Sequence, residues 1–380
     1  MNSRERIMLT LRHKEGDRIP LSFGAGKACR FTRGFYVKLI KYLGIDEAVK
    51  EGPPLSLALA SDAVLEKLGV DIREAKPQVI YAGTGKAKSW EDKDNYYARD
   101  DWGAVSRMPK KYGLCYDMIE FPLAGAGEDA DSGYVWPSPG KIRPESRKTA
   151  EKYRADGYPV MFVDAFGFSF IQQGTHVYGY ENWMMMLASE ESRVRRFQEI
   201  LLEKKMAWWD NVIDVYGDTV DIITETDDMG TQTGPFISLQ MFRSLSLPYL
   251  KRLFEHIKKI TDAKLLFHSC GSVSAFYRDL IDIGLDIINP VQISAADMDP
   301  YYLKKEFGKD LVFWGGGVDT QYALPFGSKR EVAESVKRNI DAFGKDGGFV
   351  FAPVHNVQAD VPIENFITMM ETYMAHCNYH

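Results

Sequence analysis

Short apolar runs recur along the second half of the chain. Each ends in polar residues and is followed by a stretch with helical spacing. Asp221-Ile222-Ile223-Thr224, Lys264 to Phe267, Asp286-Ile287-Ile288-Asn289, Leu311-Val312-Phe313-Trp314 and Phe349-Val350-Phe351 read as strands. Between and after them, 238–260 (with Pro248 as a kink), 273–283, 300–307, 329–344 and 362–375 read as helices. Upstream, 158–165 is a clean apolar strand, 180–216 is rich in helix, and 3–14, 34–43 and 61–68 have helical periodicity. Asp17 to Phe23 supplies a turn and a first buried strand, and 69–72 a second, shorter one. Strands that alternate with helices require a parallel sheet covered by those helices. Near-continuous apolar runs suit strands buried on both faces. Counting 19–23, 69–72, 159–164, 220–225, 264–268, 286–290, 311–315 and 349–353 gives about eight strands. That number favours a (β/α)8 TIM barrel over a doubly wound sheet. The expected architecture is one α/β barrel domain over residues 1–380 with an N-terminal helical extension.

Residues 76–145 break the pattern. Val79-Ile80-Tyr81 and the 97–107 region alternate, Gly and Asp interrupt them, and Pro137, Pro139 and Pro144 close the section. This reads as a β-hairpin and loop insertion, a lid or a partner surface. Gly24-Ala25-Gly26 follows the first strand but lacks the third glycine of a dinucleotide-binding fingerprint.

Composition narrows the function classes. Lys and Arg number 47 against 53 Asp and Glu, a mild acidic excess that gives no general electrostatic footprint for nucleic acid. No run of about 18 apolar residues suggests a membrane span, and the first residues read as an amphipathic helix, not a signal peptide. Cys29, Cys115, Cys270 and Cys377 are too scattered for a disulfide framework, which points to a reducing cytoplasm.

The strand exits carry the chemistry. In a barrel of this kind the reactive residues sit on the loops after the strands. Glu225 to Gln232, His268-Ser269-Cys270-Gly271, Asn289 to Gln292, Gly315 to Gln321 and Pro353 to Asp360 are all polar. Capping explains one such exit and not five in succession. His268 and Cys270 alternate at one strand end, so both can face the mouth. A third ligand has to come from another strand: His355 leads, followed by Asp319 and Glu225. Three protein ligands with one open position is the catalytic zinc pattern, and thiolate with imidazole suits that ion. The alternative is a structural cysteine beside a hydrogen-bonded histidine. The adjacent Asp227 and Asp228 can orient a cation or share a proton, with one expected to face the mouth and the other to be structural. Gly315-Gly316-Gly317 admits close approach of a ligand or of backbone. Asp319, Glu334 and His355 are spaced like a carboxylate–carboxylate–histidine metal set, although Glu334 falls in an outer helix.

Arg4-Glu5-Arg6, Asp17-Arg18-Ile19-Pro20, Asp227 to Gln232, Asn289 to Gln292, Gly316 to Gln321 and Pro353 to Gln358 together resemble the uroporphyrinogen decarboxylase superfamily. The resemblance spans nearly the whole chain and is closest to the corrinoid-dependent methyltransferase branch, of the O-demethylase type. It implies a (β/α)8 barrel, in agreement with the strand count. The stretch Gly24 to Arg30 lacks the Arg-Gln-Ala-Gly-Arg signature of the decarboxylases and keeps only Lys27, Arg30 and the later Arg33 as positive charge. The zinc methyltransferases of the superfamily use His-x-Cys and a later Cys. His268-Ser269-Cys270 matches the first part, and His355 stands about where the later Cys would lie. Carboxylate and histidine ligands in related demethylases keep Asp319, Glu334 and His355 open.

The resemblance therefore implies a zinc-assisted transfer of a methyl group to a corrinoid carried by a partner protein. The donor would be a methoxylated aromatic or another small O- or N-methyl compound. His268, Cys270 and His355 would hold zinc, with Asp227, Asp228 and Asp319 as catalytic residues. Phe166, Phe168, Tyr178, Gln232, Asn289, Gln292 and Trp314 would bind substrate. The expected setting is cytoplasmic, with a homodimer left open. Competing readings are a methylcorrinoid:tetrahydrofolate or thiol methyltransferase, a metal-free decarboxylase, and a non-catalytic binding subunit.

Overall fold

The structure is a computed structural model that describes residues 1–49, 57–75, 77–80, 87–111, 113, 116–125 and 133–379. Seven parallel strands form its centre, in spatial order Phe349–Val350, Val312–Trp314, Ile287–Asn289, Lys264–His268, Ile222–Thr226, Val160–Val163 and Arg73–Glu74. The eighth staves the gap between the two ends. Phe351 N donates to Pro20 O at 2.8 Å and Ser22 N to Phe351 O at 2.9 Å, while Asp71 N donates to Leu21 O at 2.9 Å on the other side. The segment around Leu21 thus closes the barrel. All eight expected segments take part, but the second is displaced. Residues 69–72 bond to the Leu21 segment, and the strand that pairs with Val160 and Met161 begins only at Arg73.

The displacement has an electrostatic cause. Asp71 is buried and accepts from Arg6 Nη1 at 2.6 Å, Arg18 Nη1 at 2.8 Å and Leu21 N at 2.9 Å. Arg6 also forks onto Asp17. A buried carboxylate is tolerable only with such partners. Arg6, Asp17 and Arg18, prominent in the resemblance, therefore fasten the N-terminal helix Ser3–Thr10 and the first stave to the barrel.

The apolar runs face inward as expected. Ile222, Ile223, Leu265, Phe267, Ile287, Ile288, Phe313, Phe349 and Val350 are all fully buried, and each such side chain contributes roughly 1.5–3 kcal/mol of burial. Helices Pro300–Phe307, Lys329–Gly344 and Ile363–His376 fall where the periodicity puts them. The expected 238–260 helix is broken: Leu239–Met241 passes through a π-helical turn, Phe242–Ser246, before Leu247–Ile260. Pro248 in the first turn of the last piece has no N–H to continue the ladder.

Helix Phe170–Tyr178 was not legible in the sequence, because Gly174 and Gly179 obscure its periodicity. Gly174 is required by packing: a Cβ there would lie 2.0 Å from the Trp183 ring. The insertion forms a four-stranded antiparallel sheet, Lys88–Glu91, Asn95–Arg99, Val105–Pro109 and Asp117–Glu120. Trp102 anchors it over the exit of the Val160–Val163 strand, donating from Nε1 to Phe166 O at 3.1 Å. Tyr81 and Cys115 lie outside the described residues.

Candidate metal centre at the barrel mouth

The Lys264–His268 strand delivers His268 to the carboxyl end of the barrel, paired with Thr226 on one side and Asn289 on the other. The ring is buried, and its Nδ1 lies 2.8 Å from Asn289 Oδ1. Asn289 Nδ2 donates to Trp314 O at 2.8 Å, which fixes the amide so that Oδ1 faces the imidazole. Nδ1 therefore carries the proton, and the Nε2 lone pair points away from the strand. Cys270 Sγ is 3.5 Å from that nitrogen. The chain can turn there because Gly271 has φ +88°, and a Cβ on it would meet the Gly230 backbone at 2.4 Å.

His355, delivered by the loop after Phe349–Val350, completes the group. Its ring lies edge-on to that of His268 with centroids 6.0 Å apart. One ligand atom each from His268, Cys270 and His355 falls within a mutual 4.8 Å. In tetrahedral geometry, Zn–N and Zn–S bonds place nitrogen and sulfur about 3.6 Å apart, close to the observed His268–Cys270 separation. Burial lowers the pKa of His268, and it lowers that of His355 to about 4 with help from His268. Both rings are thus neutral donors near pH 7. Burial pushes the Cys270 thiol up, and Asp228 adds to the shift. A cation at the centre would reverse that shift, because coordination favours the thiolate. The donor set and its spacing fit a zinc ion.

The paired carboxylates divide as the sequence suggests. Asp227 is fully buried and accepts from Ile171 N at 3.0 Å and Gln172 N at 2.6 Å, so it caps helix Phe170–Tyr178. Burial raises its pKa to about 7 against the pull of those N–H groups. Asp228 faces the centre. Its Oδ1 accepts from Cys270 N at 2.8 Å and lies 3.8 Å from His268 Nε2. Gln172 grips it from behind, donating from Nε2 to Oδ2 at 3.1 Å and accepting from Asp228 N at 3.0 Å. Gln172 was not singled out from sequence, since its helix was not foreseen.

Several expected roles change. Asp319 accepts from Gln321 N, Tyr322 N and Ala323 N at 2.8–3.2 Å, so its carboxylate caps a turn instead of ligating or catalysing. Glu334 is on the exposed face of Lys329–Gly344, 3.7 Å from Arg330, and is not part of the cluster that contains His355. Glu225 is buried against Lys205 Nζ at 3.0 Å, with Asp164 at 2.9 Å on the same ammonium.

Asn289 orients His268 and Gln292 Oε1 takes Gly271 N at 2.7 Å, so both amides hold the His268–Gly271 loop. Phe166, Tyr178 and Trp314 are core residues: Phe166 stacks on Trp208, Tyr178 lies against Trp183, and Trp314 is buried with its carbonyl on Asn289. The Gln232 side chain is exposed, and its carbonyl binds Ala296 N. Phe168 alone among the expected aromatics is half-buried, between His176 and Lys27. The glycine run serves backbone approach: Gly317 N donates to Ala352 O at 2.7 Å, and a Cβ there would meet the Phe351 ring at 2.5 Å.

Fold and site define a parallel (β/α)8 barrel with a His–Cys–His cluster on the carboxyl ends of its strands. The sequence profile of the uroporphyrinogen decarboxylase (URO-D) family matches residues 168–376, more than half of the chain, and the protein belongs to that family. Among solved structures it is similar to a methyltransferase from Methanosarcina mazei, with 14% identity over 99% of both chains and a TM-score of 0.64. That likeness establishes a common fold over the full length. Partial likenesses to a dihydropteroate synthase from Coxiella burnetii (17% identity, 44% of this chain and 57% of that one, TM-score 0.26) and one from Vibrio fischeri (15%, 51% and 61%, 0.26) carry no further weight. No curated protein sequence matches the chain.

Proposed function

We propose that this protein is a zinc-assisted methyltransferase that moves a methyl group from a methoxylated aromatic to a corrinoid held by a partner protein. The observation that carries the reading is the cluster of His268, Cys270 and His355, with the His268 Nε2 lone pair freed by Asn289. The methyltransferase from Methanosarcina mazei, which shares the fold, supports the same class.

The chemistry explains the need for such a site. As the C–O bond of the ether breaks, its electron pair stays on oxygen, and the methyl carbon bonds to the reduced corrinoid. A phenolate is a poor leaving group unless its developing charge is stabilised. Zinc, when bound, supplies a Lewis acid there. Asn289 keeps His268 in the ligating tautomer, and Gln292 and Asp228 hold the Cys270 loop by its N–H groups. Asp228 borders the centre and is the carboxylate that can touch substrate, whereas Asp227 acts as a positioning residue through the Phe170–Tyr178 helix. Phe168 offers an apolar face for a flat ring. The insertion sheet stands on the mouth side of the barrel and is the surface we assign to the corrinoid partner. A small substrate and a protein partner suit a cytoplasmic enzyme. No described helix is long and apolar enough to cross a membrane.

Metal analysis of protein purified without chelator tests the reading. About one zinc per chain is expected, and His268→Ala, Cys270→Ala and His355→Ala should each lose it together with methyl transfer to cob(I)alamin. Full zinc retention in Cys270→Ala would overturn the ligand set, and a zinc-free active protein would overturn the mechanism.

A further inference from the structure

Helix Phe170–Tyr178 carries two consecutive glutamines with different neighbours. Gln172 grips Asp228 beside the His268–Cys270–His355 cluster. Gln173 lines a cavity of about 240 Å³ between the Asp100–Trp102 turn of the insertion and the exit of the Val160–Val163 strand. Clefts for drug-sized ligands run to roughly 300–1,000 Å³, so this space suits a single ring. Aromatic side chains supply its apolar walls: Trp102 from the insertion, and Phe166 and Phe168 from the strand exit.

The other hydrogen-bond donors on these walls already have partners. Trp102 Nε1 donates to Phe166 O at 3.1 Å, and His176 meets Asp100, whose other oxygen takes Ala104 N at 3.0 Å. The exception is one end of Gln173. Its side chain is fully buried, and Oε1 accepts from Phe168 N at 2.9 Å. That bond fixes the amide, because a backbone N–H requires the oxygen there. Nε2 is thereby the free end, and it has no hydrogen-bond partner among the described residues. A buried donor left unpaired is costly, and a ligand that accepts from it removes the cost. The carboxylates of Asp100 and Asp101 also line the cavity, with no Lys or Arg; Lys27 approaches the Phe168 ring at 5.8 Å without lining it. Such walls disfavour an anion.

We propose that this cavity seats an uncharged oxygenated arene, with Gln173 Nε2 donating to an oxygen on the ring and Trp102 and Phe168 against the ring itself. None of its walls belongs to the His268–Cys270–His355 cluster. The cavity and its donor stand on their own geometry. That the occupant is the methyl donor, a methoxyphenol with its hydroxyl on Gln173, rests on the methyl-transfer reading above. Gln173 is then a specificity-determining residue, which selects donors with a second oxygen on the ring.

The test compares 3-methoxyphenol with 3-methoxytoluene, in which a methyl group of similar size replaces the hydroxyl. Calorimetry on the full chain reads binding, and turnover is followed with a corrinoid partner. One hydrogen bond to a buried donor should make the phenol bind roughly three- to ten-fold more tightly. The anion 3-methoxybenzoate should bind more weakly than the phenol. Gln173→Met keeps the length of the side chain without the N–H. It should erase the preference while 3-methoxytoluene binds as before, which also shows that the variant is folded. Phe168→Ala should weaken both ligands alike. Equal binding of the two ligands to the unaltered protein would overturn the site without any variant. So would tighter binding of the benzoate, or an intact preference in Gln173→Met. Gln173-dependent binding of 3-methoxyphenol with no methyl transfer would defeat the methyl-transfer reading and leave the site standing. Methyl transfer from both ligands at equal KM would overturn the site and leave that reading standing.

Discussion

His268 can ligate a metal because of what Asn289 does on the other side of the ring. Asn289 is itself fixed by the Trp314 carbonyl, so a chain of two hydrogen bonds settles the tautomer. Asn289→Ala should weaken zinc binding by about ten- to a hundred-fold, the usual cost of losing an outer partner of a ligand, as read by competition with a chelator. The protein should still fold, since Trp314 stays buried. Gln172 acts on Asp228 in the same indirect way. Gln172→Leu removes both contacts to Asp228 and should lower kcat while leaving zinc stoichiometry at wild-type level. A loss of zinc in that variant would place Asp228 among the ligands. From sequence, His268, Cys270 and His355 were legible as metal-ligating types at strand exits. The roles of Asn289, Gln292 and Asp319 were not, because an amide or a carboxylate at a strand exit can face substrate, a ligand or the backbone with equal chemical sense.

At the scale of elements, the ends of the strands opposite the mouth are tied by charge. Asp286 accepts from Lys258 and Lys264, each at 2.9 Å, and from Leu265 N at 3.0 Å, which joins the Leu247–Ile260 helix to two staves. Although burial opposes it, these donors hold its pKa below the usual carboxylate value. A depressed folded-state pKa contributes stability that is present above the unfolded value of about 3.9 and is lost as pH falls through the folded value. Asp286→Asn should therefore cost about 1–3 kcal/mol at pH 7. The difference should shrink below about pH 4, as measured by denaturant unfolding at both pH values. Loss of the Asp319 cap should cost about 1 kcal/mol in Asp319→Ala, with zinc content unaffected. Helices such as Pro300–Phe307 and Lys329–Gly344 were readable because capping residues and apolar spacing agree. Phe170–Tyr178 was not, because its glycine is demanded by Trp183, a contact made across a turn that the sequence does not announce.

At the scale of the molecule, the insertion rests on the barrel through Trp102 and through contact of His176 with Asp100. Its outermost strand exposes Trp90, stacked on Tyr97 at 5.3 Å with Lys88 at 5.1 Å from the indole. Exposed aromatic and cationic side chains are frequent anchors of protein contacts. Trp90→Ala should slow methyl transfer to a corrinoid protein at limiting partner concentration while leaving transfer to free cob(I)alamin and thermal unfolding unchanged. An equal loss with both acceptors would remove the sheet from partner docking.

The alternation of apolar runs and helices was enough to specify a barrel of eight staves, because burial on both faces of a parallel strand leaves a continuous apolar signature. The polar exits placed the chemistry at one end for a related reason: polar residues cannot follow so many buried strands without a wet mouth to receive them. The sequence could not say which polar groups point into that mouth. Asp227 and Asp228 are neighbours, yet one caps a helix and the other borders the His268–Cys270–His355 cluster. Lys27 and Arg30 share a loop, yet Arg30 bonds Glu74 directly while Lys27 lies near the Phe168 ring. Those assignments depend on which partners lie within about 3 Å, and residues far apart in the chain meet at that range only once the barrel has closed.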